Sequence, residues 1–189
     1  MIAKRLLWLS LSICIVGGSS LAWHSLALHF EFFDNGSRLK ETMKVIEDGI
    51  NSVGPVNYVL NYHNNVTGED RTVRSRQEIS KVSADPDSCM LIYEHRSYLN
   101  TTHHDIGYVV HLKYVKRIAV VTMEQDLKKS AAAMGHPEFS TQASPPVFVL
   151  EAIKSDANDQ NVFLFLNEEL ANRMAKALTH AVELCGGGK

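Results

Sequence analysis

No run of like charge occurs in this chain, and no apolar stretch reaches the roughly 20 residues that a membrane-spanning helix needs. With a formal net charge of −2, the first absence argues against an acidic or basic interaction tail. It also argues against a nucleic-acid binder that relies on general basicity. A GxSxG elbow is missing, as are the HExxH and HxxxH spacings and any CxxC pair. Those absences remove the usual sequence signs of a serine hydrolase, a zinc protease and a dithiol oxidoreductase. Cysteine itself is scarce, with three residues at positions 14, 89 and 185 of 189.

What is present starts at the N-terminus. MIAKR supplies a short cationic start, and LLWLSLSICIV follows as an apolar stretch of eleven. GGSSLAW then brings small residues, with Ser20 and Ala22 in the small-residue positions before a cleavage point after Ala22. This is the order of a secretory signal, so residues 1–22 are expected to be removed on export. Two rivals stay open. One is an uncleaved membrane anchor, although Gly17, Gly18, Ser19 and Ser20 interrupt the apolar run early. The other is lipidation at Cys14, which Ile13 fits poorly because a small residue is expected there. Export would leave Cys89 and Cys185 as an even pair in an oxidising compartment, and a disulfide between them is the expectation. Two buried thiols are the alternative, because cysteine packs well as a small apolar residue.

Residues 23–36 read as a lead-in with an aromatic cluster at Phe30, Phe32 and Phe33. Residues 37–53 follow as a helix, because Leu39, Met43, Ile46 and Ile50 recur at helical spacing. Gly49 weakens it, and Gly54-Pro55 ends it. The period then switches to two. Val56, Tyr58, Leu60 and Tyr62 alternate with Asn57, Asn61 and His63, which is a strand with one wet side. Further strands are expected at 71–84, 89–99, 106–112, 115–124, 146–153 and 161–166, seven in all. Val82 falls out of phase in the second, so a bulge is expected there. The last strand is apolar enough to be buried on both faces. Residues 125–145 read as a long connection with helix propensity at its start. A closing helix begins at the N-cap Asn167 and carries the stripe Leu170, Met174, Ala177, Leu178, Ala181 and Leu184. Gly186 stops it, leaving 187–189 as a tail.

Seven strands and then one amphipathic helix call for a bent antiparallel sheet with an open end to plug. The order, with the stretches HLKYVKRIAVV and FLFLNEELANRMAKALTHAVEL, resembles the pleckstrin-homology-like (PH-like) superfold over roughly residues 56–186. The resemblance implies an α+β, mainly β domain over 37–186. Its sheets would form a partly open barrel capped by the last helix, with an extra N-terminal helix. It also implies peptide recognition along a sheet edge beside that helix. Inositol-lipid binding does not carry over, because the first turn, NNVTGED, has no Lys or Arg. A GPVNY start and an ALxHAVxLCGGG end also resemble exported bacterial proteins, a likeness that names no activity.

Two clusters bear on chemistry. His95, His103, His104, Asp105 and His111 sit near one hairpin, and imidazole with carboxylate suits zinc or copper. The competing reading places His103-His104-Asp105 in an exposed polar turn, 100–105. Arg71, Arg74, Arg76 and Lys81 could form a basic strip facing an acidic ligand, against the alternative of a solvated edge strand. His180 reads as a partly buried helix residue. The sequons at Asn35, Asn65 and Asn100 are treated as incidental. The favoured expectation is an exported noncatalytic module with a protein or peptide partner. It has no catalytic residue, no cofactor, no nucleic acid and no membrane contact unless the N-terminus stays uncleaved. The rivals are a small metal-binding protein or enzyme built on the histidine hairpin, and a membrane-anchored structural envelope protein. The intact mass of the exported protein is expected to correspond to a chain starting at Trp23. A mass that retains residues 1–22 would establish an anchor instead.

Overall fold

Leu39, Met43, Ile46 and Ile50 lie on one stripe of helix α1 (Asn35–Asn51), and all four are buried. This computed structural model describes residues 35–100, 102–135, 139–154 and 160–188. The expected signal, Cys14 and most of the lead-in lie outside the described residues. Among the described residues eight strands follow α1: β1 (Val56–Asn64), β2 (Asp70–Asp85), β3 (Met90–Leu99), β4 (Thr102–His111), β5 (Arg117–Thr122), β6 (Phe139–Ser144), β7 (Phe148–Ile153) and β8 (Gln160–Phe165). Helix α2 (Met123–Ala133) separates β5 from β6, and α3 (Glu168–Leu184) closes the order. Every strand pair is antiparallel. One sheet runs β4-β3-β2-β1-β6 and the other β5-β7-β8, and they are not closed into a barrel.

All seven expected strands exist. The eighth, β6, was hidden because FSTQAS buries only Ala143 fully, and it pairs with β1 as an edge. The fifth strand also ends earlier than expected. Thr122 caps α2 by accepting from the Gln125 amide, and the Gln125 side chain reaches back to the Thr122 amide, a capping box. The turn expected at 100–105 is shorter, because β4 already starts at Thr102.

The second strand bends where Val82 fell out of phase. Its register shifts between Ser80 and Ser83, and Lys81 adopts φ 54°. The bend turns Val82 inward and leaves its backbone groups without ladder partners. Asn51 of α1 supplies them: its Nδ2 donates to Val82 O at 2.9 Å, and its Oδ1 accepts from Val82 N at 3.0 Å. Glu47 similarly accepts from Ala84 N at 2.9 Å. So α1 is tied to the bulged strand by polar bonds as well as by its apolar stripe. Gly49 has a positive reason too. A Cβ there would come within 2.4 Å of Met174 Sδ, so the glycine lets α1 approach α3.

The smaller sheet is covered on both faces, as the apolar 161–166 segment implied. On one face Leu150, Ala152, Phe163 and Phe165 pack with α1 and with Ala171, Met174, Leu178, Ala181 and Val182 of α3. On the other, Val149 and Leu164 pack with Met123 of α2 and with Val56, Tyr58 and Leu60 of β1. Glu151 of β7 is fully buried, and Lys129 of α2 donates to both of its oxygens, at 2.7 and 3.0 Å. That pairing supplies the counter-charge a buried carboxylate requires.

Asn167 caps α3 as expected, accepting from Leu170 N at 2.8 Å. At the other end Cys185 is bonded to Cys89, whose Cα lies 5.9 Å away and 96 residues earlier. Gly186, at φ 77°, ends the helix. Gly187 and Gly188, expected as a loose tail, are instead docked. Gly188 N donates to Val115 O at 2.9 Å, and a Cβ on Gly187 would lie 2.6 Å from Leu112 O. Replacing Cys89 and Cys185 together by alanine is expected to lower the unfolding free energy by about 4 kcal/mol, as for a closed loop of this length. Urea unfolding of oxidised wild type against the double variant checks this, and a loss below about 1 kcal/mol would contradict the constraint.

Candidate functional site

The β3–β4 register decides the fate of the histidine cluster. His95 stands opposite Ile106, and Ser97 opposite His104, so His95 and His104 share the inner face of the larger sheet. His103 faces Tyr98, Asp105 faces Arg96 and His111 faces Met90, which puts all three on the outer face. His95 and His111, the two strand histidines of the expected cluster, are on opposite faces. His103 and His111 share a face but stand eight residues apart on β4, roughly 27 Å at strand spacing. Among the described residues, no group of three or more His, Cys, Asp or Glu side chains is placed to hold a metal ion. His103 stacks on Tyr98 instead, with ring centroids 5.9 Å apart.

The basic strip is also divided. Arg71 has the inward parity of Val73 and pairs with Glu69 at 3.0 Å. Lys81 sits in the bulge and pairs with Glu94 at 2.7 Å. Arg74 and Arg76 point to the outer face, where the register sets Val59 opposite Arg74 and Asn57 opposite Arg76. Tyr98 follows opposite Arg76 on β3.

A groove of about 370 Å³ lies between β5 and α3. Among the described residues strand β5 is the edge of its sheet, paired with β7 on one side and with no strand on the other. Ile118 and Val120 half-expose apolar side chains along it, and Ala119 continues the floor. The helical wall carries Asn172, Ala175, Lys176, Thr179, His180 and Glu183. Apart from Ala175, which also packs on the core, these residues lie off the buried stripe of α3. His180 Nδ1 is 3.9 Å from Glu183 Oε2, so the half-buried histidine belongs to this wall. The arrangement offers an unpaired backbone edge flanked by a polar helix face.

Sequence reasoning named the edge-and-helix combination only through resemblance, and it named no groove residue except His180. The usable signal was the polar side of α3 combined with a strand short of charge. Searches against protein-family models, curated proteins and solved structures returned no match.

A polar chain crosses the inner face of the larger sheet. His95 Nε2 donates to Gln77 Oε1 at 2.9 Å, and Gln77 Nε2 donates to Tyr58 Oη at 2.7 Å. Burial raises the Tyr58 hydroxyl pKa and lowers that of His95 from its ordinary 6.5. As pH falls through 6.5, the unfolded chain therefore takes up the proton before the folded one, and stability declines. Urea midpoints at pH 7.5 and 5.5 are expected to fall with acid in the wild type. His95→Gln should flatten that slope, and an unchanged slope would remove His95 as its source.

Proposed function

We propose that this protein is an exported module that captures an extended peptide segment of a partner protein by strand addition along β5. The unpaired β5 edge beside the polar face of α3 carries this reading. An edge strand offers main-chain donors and acceptors, while side chains alternating along a bound peptide reach pockets on either side. On the α3 side those side chains would meet Ile118 and Val120 of the sheet and Lys176 and Thr179 of the helix. Lys176 is exposed and forms no ion pair among the described residues, so it favours an acidic residue on the peptide.

The reading of the fold as PH-like belongs to the same proposal. It is supported by the seven expected strands and final helix in their expected order, with α2 and β6 as an insertion between the fifth and sixth of them. Export is supported by the Cys89–Cys185 bond, since disulfides persist in oxidising compartments, and by the signal-like order of residues 1–22. Among the described residues no helix is long and apolar enough to cross a membrane.

Peptide display against the oxidised protein provides the test. Selected peptides are expected to shift the amide resonances of residues 118–121 and 175–183. Thr179→Trp should fill the groove and weaken their binding at least tenfold, about 1.4 kcal/mol, with the thermal midpoint unchanged. Peptides whose shifts map to another surface, or that bind the Trp variant equally well, would refute the proposal.

A further inference from the structure

The outer face of the larger sheet carries a second depression, remote in chemistry from the β5 groove. It measures about 390 Å³ and is lined by Asn57, Val59, Arg74, Arg76, Tyr98 and Asn100, closed on one side by Ser144 and Pro145. Its volume falls within the roughly 300–1,000 Å³ of small-ligand sites.

The electrostatics of this basin differ from those of the rest of the strand. Arg71 and Lys81 have carboxylates at 3.0 and 2.7 Å. Arg74 forms no ion pair among the described residues and is exposed. Arg76 pairs with Glu78 at 3.6 Å, longer than a hydrogen bond, so its guanidinium keeps donors for a second acceptor. Tyr98 sits beneath the Arg76 guanidinium, 5.6 Å from ring centroid to Cζ, which fixes where that group stands. Arg74 and Arg76 are two residues apart on one face, so their Cα atoms are about 7 Å apart and their charges repel. An anion between them would relieve that repulsion.

Neutral groups complete the lining. Asn100 stands at the β3–β4 turn with φ 52°, and its Oδ1 accepts from Arg74 N at 3.3 Å. That bond orients the amide so that Nδ2 is left to donate. Asn57 and Ser144 add a second amide and a hydroxyl. Among the described residues no carboxylate lines the basin itself, and the one nearest Arg76, that of Glu78, stands 3.6 Å away.

We propose that this basin binds a small soluble phosphate monoester of a polyol. A monoester presents three strong acceptor oxygens and close to two negative charges at neutral pH. Two guanidiniums converging from neighbouring positions match that better than they match a carboxylate, whose two oxygens one guanidinium satisfies. Asn57, Asn100 and Ser144 then meet the hydroxyls of the polyol. This site is independent of the peptide groove, and neither requires the other.

The test is a titration of the full oxidised chain with glycerol 3-phosphate, inorganic phosphate and acetate, followed by amide chemical shifts. The expected result is saturable shifts at Asn57, Arg74, Arg76 and Asn100 with both phosphates, tighter for glycerol 3-phosphate. Arg74→Gln should weaken binding about tenfold, in line with the loss of one charge-assisted contact. Arg76→Gln should do the same, while Arg71→Gln, on the opposite face, should leave it unchanged. All three side chains are exposed, so the variants should fold, which circular dichroism confirms. No saturable shift, equal binding of acetate, or equal weakening by Arg71→Gln would each overturn the proposal.

Discussion

The position of α3 is the constraint on which the rest depends. Burial of Ala171, Met174, Leu178, Ala181 and Val182 sets the helix against the smaller sheet and α1. A stripe of apolar contacts alone leaves some freedom to slide, because hydrophobic attraction is not directional. The Cys89–Cys185 bond removes that freedom at the C-terminal end, and the Gly188–Val115 backbone bond reinforces it three residues later. At the other end Asn167 fixes where the helix starts. With both ends held, the separation between α3 and β5 is held, and so is the width of the groove between them. The terminal glycines take part in this. Gly187 crosses so close to the carbonyl oxygens of Leu112 and Val115 that a side chain would not fit.

The second constraint is the bulge in β2. It lets a sixteen-residue strand change its buried set part-way, from Val73 and Ile79 to Val82. The change is coupled to α1, whose Asn51 and Glu47 satisfy the displaced backbone groups. A helix that is an addition to the basic strand order is therefore part of the architecture of the larger sheet. It also places Gly49 over Met174, so α1 bears on α3 from the side away from β5.

Much of this was legible in the sequence because it depends on apolar periodicity, which burial enforces residue by residue. The strands with an apolar face, the stripes of α1 and α3 and the Val82 irregularity follow from that pattern, whereas the cysteine pair follows from the even count in an oxidising compartment. What could not be read depends on partners distant in the chain. FSTQAS carries almost no apolar signal, and β6 exists because β1 offers it an edge. The capping box at Thr122 and Gln125 was readable, yet the apolar run RIAVVTME masked it. Parity relative to a turn was decisive for the site residues. Starting β4 at Thr102 sends His95 and His111 to opposite faces, whereas a six-residue turn left their relation open. Likewise Arg71 and Arg74 differ by an odd number of positions, and an odd separation in an unbroken strand means opposite faces.

The sheet edges give a final argument for where a partner belongs. Exposed edges invite pairing with other chains, and proteins blunt them with charge, proline or cover. Edge strand β4 carries Asp105, which lies 3.8 Å from Arg96, and its first four residues, Thr102 to Asp105, are exposed and polar. Strand β6 runs directly into Pro145 and has Glu124 of α2 accepting from Ala143 N. Strand β5 has one charge, Arg117, at its very start, and then Ile118, Ala119, Val120 and Val121 without interruption. Such an edge would be an aggregation hazard if left bare. The helix beside it turns that hazard into selectivity, because an incoming strand must fit between β5 and the polar wall of α3. In the proposed reading the β5 edge admits only chains slender enough, and suitably charged, to pass Lys176, Thr179 and Glu183.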